Sequence, residues 1–244
     1  MRRFKLLMRW LPHPFLVVIA IGGLELLGIR FIDYLNQRRQ IEEHKRALII
    51  QMRNSNRDVA MEAIRQLRAH GYLDRLANTD LVNANLREAD MTLANLRGAN
   101  LENANLEGAN LQGADMACAN LQSTNLNRSN LRGVDLRGTN LEGANLKEAN
   151  LEGAILNNTN LKRADMSYTN LQGAFLIGND LEEASLDESN LEMAHLYKAS
   201  HPQAKDPDAI ILPDGSLYAD GRDLREFTNP KEWQVVQASE LDER

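Results

Sequence analysis

The sequence predicts a mainly β solenoid of short repeats, preceded by an N-terminal helical segment and closed by a short C-terminal cap. Three observations predict it. Leu or Met occupies every fifth position from Leu81 to Leu196, 24 positions in a row, with Met only at Met91, Met116 and Met166. The residue before each is Asn or Asp in 20 of the 24 cases. The residue two before is usually Ala, as at Ala84, Ala99 and Ala144. An unbroken short period means that each unit can bury its apolar face only against its neighbours. A five-residue period matches neither 3.6 nor 3.5 residues per turn, which excludes a heptad helix.

The rest of the chain divides into three zones. Residues 1–35 hold a basic start (Arg2, Arg3, Lys5, Arg9) and an apolar stretch from Phe15 to Leu24, continued past Glu25 by Leu26, Leu27 and Ile29. Residues 11–29 approach the roughly 20 a helix needs to cross a bilayer. Glu25 lies towards the C-terminal end, where a charge costs less, and Trp10 and Tyr34 flank the stretch as interfacial aromatics do. The expectation is a single transmembrane helix. A signal peptide fits less well, because Ala20-Ile-Gly22 is the only small-residue spacing available. A helix lying in the interface is the third reading. Basic residues on both flanks leave the orientation open, with the cytoplasmic side favoured for the soluble part.

Residues 36–78 read as a helical pair that caps the solenoid. Ile41, Leu48, Ile49 and Met52 recur at helical spacing. Asn54-Ser-Asn56 breaks that helix and offers an N-cap, with Asp58 in the next first turn. Ala60, Ala63, Ile64 and Leu67 share one face of the second helix, and Gly71 stops it, so that Tyr72 and Leu73 fold back. A solenoid end exposes unpaired backbone and needs such a cover. The repeat occupies residues 79–198. Residues 199–244 hold a hairpin signal, Pro213-Asp-Gly215 between Ile210-Ile-Leu212 and Ser216-Leu-Tyr218, and an acidic end.

The Ala-Asn-Leu-x-x units, such as Ala99-Asn-Leu-Glu-Asn103 and Ala109-Asn-Leu-Gln-Gly113, closely resemble the pentapeptide-repeat family over about 120 residues. The resemblance implies a right-handed parallel quadrilateral β-helix. Four pentapeptides make one coil, the central Leu and the preceding small residue point inward, and 24 units give about six coils. Physical chemistry agrees. Each buried Leu contributes about 1.5–3 kcal/mol. Small residues at the second inward position avoid overpacking, Asn and Asp bond turn backbone, and Gly at the last position suits unusual dihedrals. The helical pair, and Leu212-Pro-Asp-Gly-Ser216 with Phe227-Thr-Asn-Pro230, resemble the flanks of bacterial, particularly cyanobacterial, members. That part implies no activity.

On such a coil, residues 20 apart stack on one side. The breaks in the Asn/Asp row are Ile155, Phe175, Ser185 and His195, and three of them share a column. Ile177 and Tyr197 lie beside it. An outward apolar strip of Ile155, Phe175, Ile177, His195 and Tyr197 is therefore expected to dock a protein partner or a second copy, as exposed apolar patches do. The alternative is that Ile210, Leu212, Tyr218 or Phe227 cover it as a C-terminal cap. No acidic residue takes a variable position on that side, where Arg97 and Arg137 lie.

Composition narrows the function. A net charge of −6 at pH 7 argues against a nucleic-acid-binding surface. The single cysteine, Cys118, excludes an internal disulfide. His195 has no second ligand for a metal, and His13, His44, His70 and His201 are scattered. No catalytic triad, Walker motif or paired CxxC occurs. No catalytic, cofactor-binding or metal residue is expected, and none of the cofactor classes. The leading expectation is a non-enzymatic, membrane-tethered interaction scaffold with a protein partner still to be identified. The alternative is a DNA-mimicking modulator of a topoisomerase such as gyrase, since residues 79–198 carry 17 acidic and 9 basic side chains.

Overall fold

The computed structural model describes residues 24–54 and 56–196, with side chains from residue 31 onward. The chain divides into two compact units between Ala47 and Leu48. The apolar stretch of residues 11–23, Tyr197, and the expected C-terminal hairpin and cap lie outside the described residues. Among the described residues no helix is long and apolar enough to cross a membrane.

Helix α1 spans Leu24–Met52. It runs without interruption through the boundary expected between residues 35 and 36. In the first unit Ile32, Leu35 and Ile41 stand exposed, while Arg39 pairs with Glu43 at 2.7 Å and Lys45 with Glu42 at 2.6 Å. The expected apolar face of this helix is buried only in its last turn, at Leu48 and Met52, which belong to the second unit.

Helix α2 spans Arg57–Ala69. Asn56 caps it, its side chain accepting from the Asp58 backbone N–H at 2.9 Å. Gly71, at φ 68°, ends it. The Tyr72 N–H donates to the Leu67 carbonyl (2.8 Å) and the Gly71 N–H to that of Arg68 (3.0 Å), the paired bonds of a Schellman cap. Ala60, Ala63, Ile64 and Leu67 are all buried, and Leu73 and Leu76 join them in one core with the first Leu rows. The cover is pinned by backbone and charge. The Asn95 N–H donates to the Leu73 carbonyl at 2.9 Å. Arg53 pairs with Asp80 (3.0 Å), Arg57 with Glu88 (2.6 Å) and Arg68 with Asp90 (2.6 Å).

The repeat winds with a period of 20 residues. Parallel bridges join residue i to i+20, from Asp80↔Asn100 through to Phe175↔His195. Here the expectation of a mainly β structure needs correction. Among the described residues there are no regular strands, only one bridging residue per side of each coil. The cause is local. Nearly every Leu carbonyl of the described repeat accepts from the N–H three residues on, as Ala104 to Leu101 at 2.9 Å, and the third residue of the turn has positive φ, as Asn103 at 56°. That is the requirement of a type II turn. A turn every five residues leaves room for one extended residue between corners.

Every fifth-position Leu and Met from Leu81 to Leu196 is at most 2% exposed, so the inside is a filled aliphatic ladder. Beside it, the small-residue position buries seven polar residues. Thr124, Thr139 and Thr159 satisfy their hydroxyls on the carbonyls of Leu101, Met116 and Leu136 at 2.8–3.0 Å. Asn179 is the only Asn there. Its Oδ1 accepts from the Thr159 N–H at 3.0 Å, but its Nδ2 meets no acceptor.

Candidate interaction face

The 20-residue period gives the coil four sides, named here by the bridging residues Asn100, Asn105, Asn110 and Asn95 in that order. On the first three, side chains 20 apart interlock. Asn120, Asn140 and Asn160 each donate an Nδ2–H to the Asn one coil back, at 3.0–3.2 Å. Similar amide pairs link Asn125 to Asn105 on the second side and Asn130 to Asn110 on the third. Ion pairs do the same: Lys162 with Glu182 (2.7 Å) on the first side, Arg87 with Glu107 (3.2 Å) and Arg128 with Glu148 (2.8 Å) on the second, and Arg132 with Glu152 (3.1 Å) on the third.

The fourth side differs. Its bridging column reads Asn95, Asp115, Asp135, Ile155, Phe175, His195, which contains no run of amides to form a ladder. Its ion pair is local. Arg137 forks onto Asp135, Nε to Oδ1 at 2.9 Å and Nη2 to Oδ2 at 2.6 Å. That fork holds the Asp135 carboxyl below its usual range, and the field of Arg97 adds to it. Among the described residues no ion pair joins two coils on this side.

The structure brings Ile155, Phe175 and His195 into one column through the bridges Ile155↔Phe175 and Phe175↔His195. The two rings stack, with centroids 4.6 Å apart and planes 4° from parallel. Ile177 occupies the same side, its N–H donating to Asn157 Oδ1 at 3.2 Å. All four side chains are half-buried rather than fully outward, because side chains in register 20 residues apart cover one another. Burial also holds the His195 imidazole below its ordinary pKa.

Sequence reasoning missed the most exposed apolar side chains of the repeat. Leu93 (73%) and Met193 (66%) stand at corners of the third side, at φ 58° and 57°. The signal was there, since the last position of each unit is the corner that projects outward. The inter-coil ion pairs were legible in the same way, once opposite charges 20 apart are sought. Cys118 is free and exposed at a corner of the fourth side. Among the described residues no three His, Cys, Asp or Glu side chains come together to hold a metal ion.

A family profile described as pentapeptide repeats matches in eight copies over residues 75–108, 104–143, 144–178 and 164–200. Among solved structures, the chain is similar to HetL from the cyanobacterium Nostoc sp. strain PCC 7120, a pentapeptide repeat protein involved in heterocyst differentiation regulation. Identity is 37% over 58% of this chain and 69% of that one, with a TM-score of 0.23. It is also similar to alr5209, a pentapeptide repeat protein of Nostoc PCC 7120, at 29% identity over 44% and 84% of the two chains and a TM-score of 0.30. Full-length QnrB1, a plasmid-mediated fluoroquinolone resistance protein, matches at 19% identity over 55% and 80%, with a TM-score of 0.30. No curated protein matches the chain.

Proposed function

Since the chain belongs to the pentapeptide-repeat family, whose members form right-handed β-helices and are generally structural or interaction proteins, we propose that it is a non-enzymatic scaffold that binds a protein partner on its fourth side. One observation carries this reading: among the described residues the fourth side has no amide ladder and no ion pair between coils, and it places Ile155, Phe175 and Ile177 where the other sides carry amides and ion pairs. A partner that covers this column removes apolar area from water without breaking an existing charge network. The homodimer is the same proposal with a second copy as partner.

The tether completes the reading. The apolar residues 11–29, with Trp10 and Tyr34 at their flanks, anchor the scaffold in a membrane as a single-pass protein of bacterial, cyanobacterial type with about six coils on the cytoplasmic side. Two experiments test the two halves. Replacing Ile155, Phe175 and His195 by Asn restores the repeat's own residue on each bridge. Proximity labelling that captures the same proteins with this variant as with the native chain removes the face from the proposal. Fractionation that leaves the full chain soluble without detergent removes the anchor.

The second reading is a DNA-mimicking modulator of a topoisomerase such as gyrase, favoured by the net charge of −8 over residues 79–198. The ion pairs across coils count against it, because Arg128, Arg132 and Lys162 neutralise the acidic sides at contact distance. A gyrase supercoiling assay with the full chain decides between the two.

A further inference from the structure

We infer that the corner closing the third side is a contact between two copies of the chain, which lie side by side and antiparallel. This goes beyond the reading of the fourth side, which stays open to a protein partner. Leu93 and Met193, the most exposed large apolar side chains of the repeat, stand at the two ends of that corner. The bridges from Asp90↔Asn110 to Asn170↔Asn190 set them five coils apart, about 24 Å at about 4.8 Å per coil. Between them, at the neighbouring corner position, lie Gln112, Arg132, Glu152 and Gln172, one to a coil.

This order is complementary to itself under one operation. A two-fold axis in the contact plane, at right angles to the coil axis and midway between Arg132 and Glu152, reverses the order of the coils and lays each column on the same column of the second copy. Leu93 then faces Met193, Arg132 faces Glu152 and Gln112 faces Gln172, each in both directions. The two apolar side chains cover one another instead of standing in water. The Arg132–Glu152 pair, 3.1 Å apart within one chain, meets its own reverse, so that four charges close a ring of alternating sign. Gln172 Nε2 donates to Glu192 at 3.0 Å, and its Oε1 faces the amide of Gln112. A Cβ on Gly133 or Gly153, beside the axis, would meet nothing within 4 Å, so no side chain there holds the second backbone away.

Other arrangements fit less well. A two-fold axis along the coils sets Leu93 against Thr92 and brings the Arg132 side chains of both copies to one level. The antiparallel operation on the second side sets Glu88 against Glu188. On the first side it brings no two exposed apolar side chains together. On the fourth it sets Asp135 against Ile155 and Asp115 against Phe175.

The test uses two full-length variants in mild detergent, both with Cys118→Ser, one with Gln112→Cys and the other with Gln172→Cys. Each is oxidised with copper phenanthroline alone and in mixture, and the disulfides are located by mass spectrometry. In the antiparallel pair the two 112 positions stand three coils apart, about 14 Å, well beyond the roughly 7 Å that a disulfide spans. The expected result is a 112–172 link between chains in the mixture that forms at least about 10-fold faster than the symmetric link of either variant alone, because association raises one effective concentration and not the other. Arg132→Glu in both members sets like charges face to face and slows the link. Arg132→Glu in one member with Glu152→Arg in the other restores it, although each chain has then lost its internal pair, so a merely intramolecular role for these residues predicts no rescue. Equal rates in the mixture and in the single variants, a dominant 112–112 or 172–172 link, or a charge exchange without rescue overturns the inference. Far-UV circular dichroism checks that each variant keeps the native spectrum. Ile155, Phe175 and His195 are untouched throughout, so this result and the proximity-labelling result stand or fall separately.

Discussion

The rings of Phe175 and His195 lie parallel, 4.6 Å between centroids and 4° between planes. Aromatic pairs left to themselves favour offset or edge-on arrangements. Here the backbone bridge between the two residues sets them in register, and the ring geometry follows the coil. Burial in that stack disfavours the imidazolium.

A pH dependence follows. A histidine whose folded pKa is lowered releases its proton more readily folded than unfolded. The unfolded chain therefore binds more protons below about pH 6.5, and stability rises with pH through that window. The contribution is present above the unfolded pKa and is lost as pH falls towards the folded one. Urea unfolding of the native chain and of His195→Asn, at about pH 7.5 and about pH 5.5, reads the difference. The native chain should lose more on acidification than the variant. An identical loss in both places the pH dependence elsewhere.

Corner glycines should fall into two classes. Gly98 and Gly133 have φ of 65° and 63°. A Cβ on Gly133 meets nothing within 4 Å, whereas one on Gly98 comes 2.4 Å from Asn78 Oδ1. Gly133→Ala carries only the left-handed cost, about 1 kcal/mol. Gly98→Ala adds the displacement of Asn78 and should be less stable than Gly133→Ala by chemical denaturation. Equal midpoints mean that the Asn78 side chain moves aside freely.

Asn179 should be replaceable at a gain. Its Nδ2 is buried without an acceptor, and such a group costs about 1–3 kcal/mol. The Thr159 N–H that it serves also donates to the Leu156 carbonyl at 3.1 Å, so the loss of Oδ1 leaves that donor satisfied. Asn179→Ala, the usual residue of this row, should raise the denaturation midpoint. A fall would show that the amide holds its neighbours in place.

The N-cap gives a test of the cover. Asn56→Ala removes the acceptor for the Asp58 N–H and should cost about 1 kcal/mol. Because Ile64, Leu67 and Leu76 share a core with Leu81 and Leu86, hydrogen exchange should quicken in the first coil as well as in α2. Quickening confined to α2 would separate the cover from the coils.

The sequence by itself determined the coil. A Leu every five residues, with a small residue two before it, leaves one way to bury the row, and the burial of Leu81 to Leu196 follows from that period alone. It also determined the stop at Gly71 and the start at Asn56, because both are local bonds between residues a few positions apart. Only the tertiary structure decided how the outside is organised. The 20-residue period puts Asn120 with Asn100, Arg128 with Glu148 and Phe175 with His195 on shared sides, but only the folded coil decided which of them bond, pair or stack. It also decided that the column of Ile155, Phe175 and His195 is half-buried, since exposure depends on what stacks above and below a residue. The corner exposure of Leu93 and Met193 belongs to the same class, because a left-handed turn aims a side chain outward whatever its polarity.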